Sequence, residues 1–285
     1  MSFKDILLVL ITYPEANNPS QIHDAISFSA AVGARISALA CVVKIRAPHH
    51  DLSDAFIDIP ALVETEEKKS SDMAAKLLDV FEAAAKRAGV FRESLRRTCF
   101  TSEAPDLLVR EARLRDLAII SAVPESDYYH WDDYRWYAES IVFGSGRPLL
   151  ALPVRPSREL ALRRVVIAWD GSRPAARAVT DALSILERAE EIRVLTVVNE
   201  KELSGGSPAM ELSSYLARRG LAAEVDLVDA VGREIGEALN AYIASEKPDL
   251  LVMGAYGHSR VREFILGGAT LSMLSKPPLP ILFSH

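Results

Sequence analysis

The feature that most restricts the fold is a short apolar run that occurs twice. Asp116-Leu117-Ala118-Ile119-Ile120-Ser121 and Asp249-Leu250-Leu251-Val252-Met253-Gly254 share one form at an offset of 133 residues (116 to 249): an aspartate, four apolar residues, then a small residue. A run this short with no polar alternation fits a strand covered on both faces, which is the situation of a parallel sheet. Arg147-Pro148-Leu149-Leu150 and Leu279-Pro280-Ile281-Leu282 recur at nearly the same spacing. The chain therefore reads as two copies of one unit.

Each copy alternates strand with helix. In the first, strands are expected at Ile6 to Ile11, Ile36 to Val43, Leu95 to Phe100, Asp116 to Ser121 and Leu149 to Leu152. Helices are expected at Ser20 to Val32, Thr65 to Ala88 and Ala104 to Ala112, while His49 to Glu64 lacks clear periodicity. The second copy runs through strands Val165 to Ala168, Ile192 to Val198, Ala223 to Val228 and Asp249 to Met253, with helices at Pro174 to Leu186, Met210 to Arg219 and Ile235 to Ser245. This order predicts an α/β fold of two tandem doubly wound, Rossmann-like parallel-sheet domains, with ligand crevices at the carboxyl ends of the strands. The charged segment Val154 to Glu159 with Pro156 is the natural linker, giving domains 1–153 and 154–285. With 285 residues, 49 % of them hydrophobic, each half is long enough for its own core.

A net charge of −6 and a pI near 5.6 argue against nucleic acid or an anionic membrane as partner. Cys41 and Cys99 are the two cysteines, too few for a disulfide framework or a cysteine zinc site. His49, His50, Asp51 and Asp54 offer metal-ligand chemistry, but a solvated loop explains them more simply. The opening MSFKDILLVLITYP lacks a basic n-region and an A-x-A site, and no apolar stretch is long enough to span a bilayer, so the cytoplasm is expected.

Chemistry concentrates in Met253 to Thr270, MGAYGHSRVREFILGGAT. Gly254 and Gly257 bracket Ala255 and Tyr256, allowing a sharp turn and the close approach of a ligand to backbone. Gly267 and Gly268 precede Ala269 and Thr270 at a helix start, whose free N–H groups and dipole favour an anion. His258, Ser259 and Arg260 add donors beside the turn. An ordinary strand-to-helix turn is the competing explanation. Asp170 follows the strand Val165 to Trp169 in AWDGS, on the same edge of a parallel sheet, either as a ligand contact or as a helix N-cap.

The spacing G-x2-G-x9-G, with Gly254, Gly257 and Gly267, resembles the nucleotide-binding motif of the universal stress protein family. The resemblance implies an adenine nucleotide alpha hydrolase-like fold holding ATP, or AMP or ADP, with or without Mg. Asp170 would then face the adenosine part, and Val197 or Val198 would offer backbone groups to adenine. The rest of the pocket would be Met253, Gly254, Gly257, His258, Gly267, Gly268, Ala269 and Thr270. Gly268 departs from the pattern, since many members carry Ser or Thr there. The first half resembles the family in architecture alone: Ser121 and Pro124 stand where Gly254 and Gly257 would fall, and Asp127, Asp132 and Asp133 add negative charge. It carries instead an aromatic cluster from Tyr128 to Tyr137, read as a helix packing on its own domain or as a partner surface.

The resemblance implies a stress-response or signalling protein rather than an enzyme of turnover, with its two halves paired as single-domain members pair in dimers. A homodimer of the whole chain and an unidentified protein partner are compatible with it. The alternatives are a slow ATP-hydrolysing or adenine-nucleotide-processing enzyme and a ligand-free scaffold. Neither an S-G-G-x-D-S nor an H-x-G-H signature is present to favour the enzyme.

Overall fold

Along the first strand, alternate apolar residues enter two different cores. Ile6, Leu8 and Leu10 join Ile22, Phe28 and Phe81 on one side of the sheet, while Leu7, Val9 and Ile11 join Leu108, Tyr137 and Ile141 on the other. A strand buried on both faces has no polar side to present, which is why its sequence shows no alternation. The computed structural model describes residues 2–46, 58–124, 133–154, 162–198, 208–230, 232–255 and 268–285.

The first half runs β1 (Asp5–Leu10), α1 (Pro19–Val32), β2 (Arg35–Lys44), α2 (Ile59–Arg87), β3 (Phe91–Phe100), α3 (Ala104–Arg113), β4 (Leu117–Ser121), α4 (Asp133–Gly144) and β5 (Leu149–Leu152). The second runs β6 (Arg164–Ala168), α5 (Arg173–Leu186), β7 (Glu191–Val198), α6 (Pro208–Ala217), β8 (Glu224–Asp229), α7 (Ile235–Glu246), β9 (Leu250–Gly254), α8 (Gly268–Ser275) and β10 (Ile281–Ser284). All ten strands form one sheet in the order β3-β2-β1-β4-β5-β10-β9-β6-β7-β8. Neighbours are parallel within each half, and β5 meets β10 antiparallel at the centre. The expected doubly wound α/β fold is the one observed.

The repeat holds at the level of single hydrogen bonds. Asp116 Oδ2 accepts the N–H groups of Lys4 and Asp5, at 2.7 and 3.0 Å. Asp249 Oδ2 accepts those of Arg163 and Arg164, each at 2.9 Å. The aspartate that opens each repeated run thus pins the start of the neighbouring strand. At the seam, Leu150 of β5 lies opposite Leu282 of β10, flanked by Leu149 opposite Phe283 and Ala151 opposite Ile281. Leu150 and Leu282 are also equivalent within their halves, since each lies beside the central residue of its repeated run, Ile119 or Val252. An isologous contact between copies has this form, here inside one chain.

Two element limits differ from the sequence expectation. Helix α2 starts at Ile59 rather than Thr65, because Asp58 caps it by accepting the Ala61 N–H and Pro60 suits its first turn. From Ile59 to Lys69 the helix buries no residue, so no apolar spacing marks it there. Strand β3 starts at Phe91 rather than Leu95. It is an edge strand with mixed exposure, and its charged residues hide its period. Of the aromatic cluster, Tyr134 and Tyr137 are buried in the first half and Trp136 is exposed, while Tyr128 to Trp131 lie outside the described residues. His49, His50, Asp51 and Asp54 also lie outside them. No helix among the described residues is long and apolar enough to cross a membrane.

Candidate functional site

In an open parallel sheet the loops at the carboxyl ends of the central strands diverge where the chain winds in opposite directions from the first strand, leaving a crevice. In the second half that place lies between β6 and β9, with β7 beside it.

Asp170 is exposed, two residues beyond β6. Its Oδ1 accepts the Ser172 N–H at 2.9 Å. Gly171 between them has φ 72°, a conformation that suits glycine. The N-cap of α5 is Ser172, whose Oγ accepts the Ala175 N–H at 3.2 Å. Asp170 is therefore not the N-cap of α5. It braces the turn before the helix and stays exposed at the carboxyl end of β6. Ser172 went unrecognised in the sequence, although a serine two residues before Pro174 is a helix-start signal.

Val197 and Val198 end β7 half-buried. Ala230 N–H donates to the Val198 carbonyl at 3.1 Å, so that carbonyl is already engaged. Thr196 Oγ1 donates to the Trp169 carbonyl at 2.8 Å and ties the ends of β6 and β7 together.

Met253 is buried, and Gly254 closes β9. A Cβ on Gly254 would stand 2.4 Å from Ala175 N and 2.6 Å from the Pro174 carbonyl carbon. The space this glycine leaves free is filled by the first turn of α5. Gly254 thus serves strand-to-helix packing in this structure, a reason that the glycine spacing alone does not distinguish from ligand approach. Gly257, His258 and Gly267 lie outside the described residues. Gly268 is exposed at the start of α8, Ala269 is half-buried and Thr270 is buried. The nearest atom to a Cβ on Gly268 would be Glu234 Oε2, at 3.9 Å. Sequence reasoning also passed over this carboxylate, which comes from the turn opening α7 and carries no local signal.

The first half treats the same place differently. The strand registers set Ser121 at the position of Gly254 and Ile11 at that of Asp170. Asn17 Oδ1 accepts the Ile11 N–H at 2.6 Å, and Asn17 Nδ2 donates to the Ser121 carbonyl at 3.1 Å. Gln21 Nε2 donates to the carbonyls of Ala122 at 2.7 Å and Pro153 at 3.2 Å. Thr12 Oγ1 bonds the Cys41 carbonyl and lies 2.8 Å from Ser70 Oγ, which accepts the Val43 N–H at 3.0 Å. These buried amides and hydroxyls knit together the ends of β1, β2, β4 and β5. What remains is a narrow, mainly apolar crevice of about 10 Å³ lined by Ile11, Cys41, Leu108 and Tyr137.

For metal, no group of three or more His, Cys, Asp or Glu side chains among the described residues is placed to hold an ion. For an adenine nucleotide the second-half residues fit in part: a carboxylate at Asp170 for hydroxyl donors, and the amide end of α8 for an anion. Glu234 opposes the anion.

Residues 161–285 match the Universal stress protein family. A universal stress protein of Synechocystis sp. is 30 % identical over 146 residues, which cover 50 % of this chain and 49 % of that protein. The chain thus matches about half the length of this curated relative. Among solved structures, a universal stress protein from Archaeoglobus fulgidus superposes with a TM-score of 0.68 at 16 % identity, covering 98 % of this chain and 96 % of that one. A Pseudomonas aeruginosa protein of unknown function superposes with a TM-score of 0.56 at 13 % identity, covering 99 % and 92 %. Residues 161–285 carry the universal stress protein family's domain, and both halves together have the fold of the Archaeoglobus fulgidus protein.

Proposed function

We propose that the chain binds one adenine nucleotide, ATP or a related AMP or ADP, in a C-terminal domain of residues 154–285. Residues 1–153 form a degenerate partner domain, and the whole acts in stress response or signalling rather than turnover. The observation that carries this reading is the contrast between the two crevices. Asn17, Gln21, Thr12 and Ser70 close the first, whereas in the second half Asp170 is exposed just beyond β6 and Gly268 is exposed at the start of α8. Asp170 accepts hydrogen bonds from the sugar, Val197 and Val198 border the base, and Gly268 to Thr270 supply amides to phosphate. By the spacing of the motif, Gly257, His258 and Gly267 belong to the same set. Mg, if used, is held mainly through the phosphates. The charge of Glu234 beside Gly268 favours a second reading, a ligand-free pairing module.

Titration calorimetry with ATP, AMP and GTP on the parent and on Asp170→Ser tests the proposal. One ATP per chain is expected, with GTP weaker. In Asp170→Ser affinity falls roughly tenfold to a hundredfold, the loss of about 1.5–3 kcal/mol of charge-assisted hydrogen bonding. Serine can still bond the turn at this position, so the variant is expected to melt close to the parent. Two equivalent sites would sink the degenerate-domain reading, and parental affinity in the variant would remove Asp170 from the site. Absence of binding by every nucleotide would establish the second reading.

A further inference from the structure

The chain's two cysteines lie together in the first half, away from the proposed nucleotide site. Cys41 belongs to β2 and Cys99 to β3. The parallel register sets Cys41 opposite Arg97 and Val43 opposite Cys99. Residues two apart on a strand share a face, so both thiols project to the same side of the sheet, one diagonal step apart. The two thiols interact, each perturbing the other.

The two sulfurs differ in setting. Cys41 is 8 % exposed. The interaction with Cys99 and burial both push its thiol up, so it keeps its proton. Cys99 is half-buried near the end of an edge strand, and the interaction with Cys41 holds its thiol below the ordinary range. A more accessible sulfur on an edge strand, its thiol lowered, beside a buried one whose thiol is raised is the arrangement of an attacking and a resolving cysteine.

We propose that Cys99 and Cys41 form a peroxide-responsive dithiol. The Cys99 thiolate attacks one oxygen of a hydroperoxide and the O–O bond breaks. The leaving oxygen takes up a proton as alcohol or water, and Cys99 becomes a sulfenic acid. Cys41 then attacks the Cys99 sulfur and the S–O bond breaks. The departing hydroxide leaves as water with the Cys41 proton. In sum, two thiols are oxidised to one disulfide and one hydroperoxide is reduced. Diagonal neighbours are set wider apart than a relaxed disulfide spans, so closure moves backbone. Strand β3 can supply that movement, since it is paired on one side only.

The test exposes the full chain to hydrogen peroxide, followed by intact mass measurement and non-reducing peptide mapping. The expected product has lost two hydrogens, contains a Cys41–Cys99 cross-linked peptide within one chain, and reverts with dithiothreitol. In Cys41→Ser, Cys99 stops at the sulfenic acid and is captured by dimedone. In Cys99→Ser, a change at a half-buried edge position, Cys41 stays reduced, which keeps the test decisive even if Cys41→Ser does not fold. Overoxidation of Cys99 to sulfinic acid without a cross-link in the parent overturns the proposal. So does a cross-link between chains, or both thiols remaining reduced under conditions that oxidise free cysteine completely.

Discussion

At Gly254 a hydrogen in place of a side chain decides how close a helix can come to a strand. An alanine Cβ there would meet backbone atoms of Pro174 and Ala175, neither of which can rotate away as a side-chain tip would. Gly254→Ala is therefore expected to destabilise the second half by about 1–3 kcal/mol, the usual cost of overpacking. Thermal or urea unfolding measures it. A variant as stable as the parent would show that α5 can shift at no cost. The sequence announced a tight place here, but a glycine reveals a vacancy without naming its occupant. The same limit applies at Asp170: the sequence left ligand contact and helix cap both open, and only the three-dimensional path shows that Ser172 takes the cap.

Elements with a buried face were readable, and those without one were not. The runs of β4, β5 and β9 were recognised almost residue for residue because both of their faces are covered. The first turns of α2 and the start of β3 were missed because neither buries an apolar face. The amino ends of β6, β7 and β8 show a further pattern that only strand order reveals. Arg164, Glu191, Arg193 and Asp226 come from three strands and form a chain of ion pairs, with Tyr242 of α7 donating to Asp226. The Arg193 hydrogen bond, supported by Arg164, holds the Glu191 carboxyl below its usual range. A carboxyl depressed in the folded state contributes stability at neutral pH, and this is lost as pH falls below about 4.5 and through the folded value. Glu191→Gln is expected to lose about 0.5–1 kcal/mol at neutral pH, within the range for partly solvated pairs. Its stability should also fall less steeply in acid than the parent's. Urea unfolding across the acid range checks this, and parallel profiles would show that Glu191 contributes nothing.

Over the whole molecule, the duplicated run at Asp116 and Asp249 was enough to foretell two equivalent halves. How the halves join was not in the pattern, because the seam strands β5 and β10 read like any other buried strands. The pairing of Leu150 with Leu282 has a consequence for assembly by separated pieces. If the chain were divided within 155–161 and the fragments made together, each could pair with the other or with its own kind. Like pairing of the second fragment would set Ile281 against Phe283 twice, two bulky contacts, and like pairing of the first would set Leu149 against Ala151 twice, leaving a gap. Mixed pairing gives Leu149 with Phe283 and Ala151 with Ile281, the combination present in the intact chain. Side-chain volume alone thus favours the mixed complex, and native mass spectrometry of co-expressed fragments should find one of each. A statistical mixture would mean that the seam carries no preference. In this sense the middle of the sheet works as a matching code, written in bulk rather than in charge, that tells unlike halves apart.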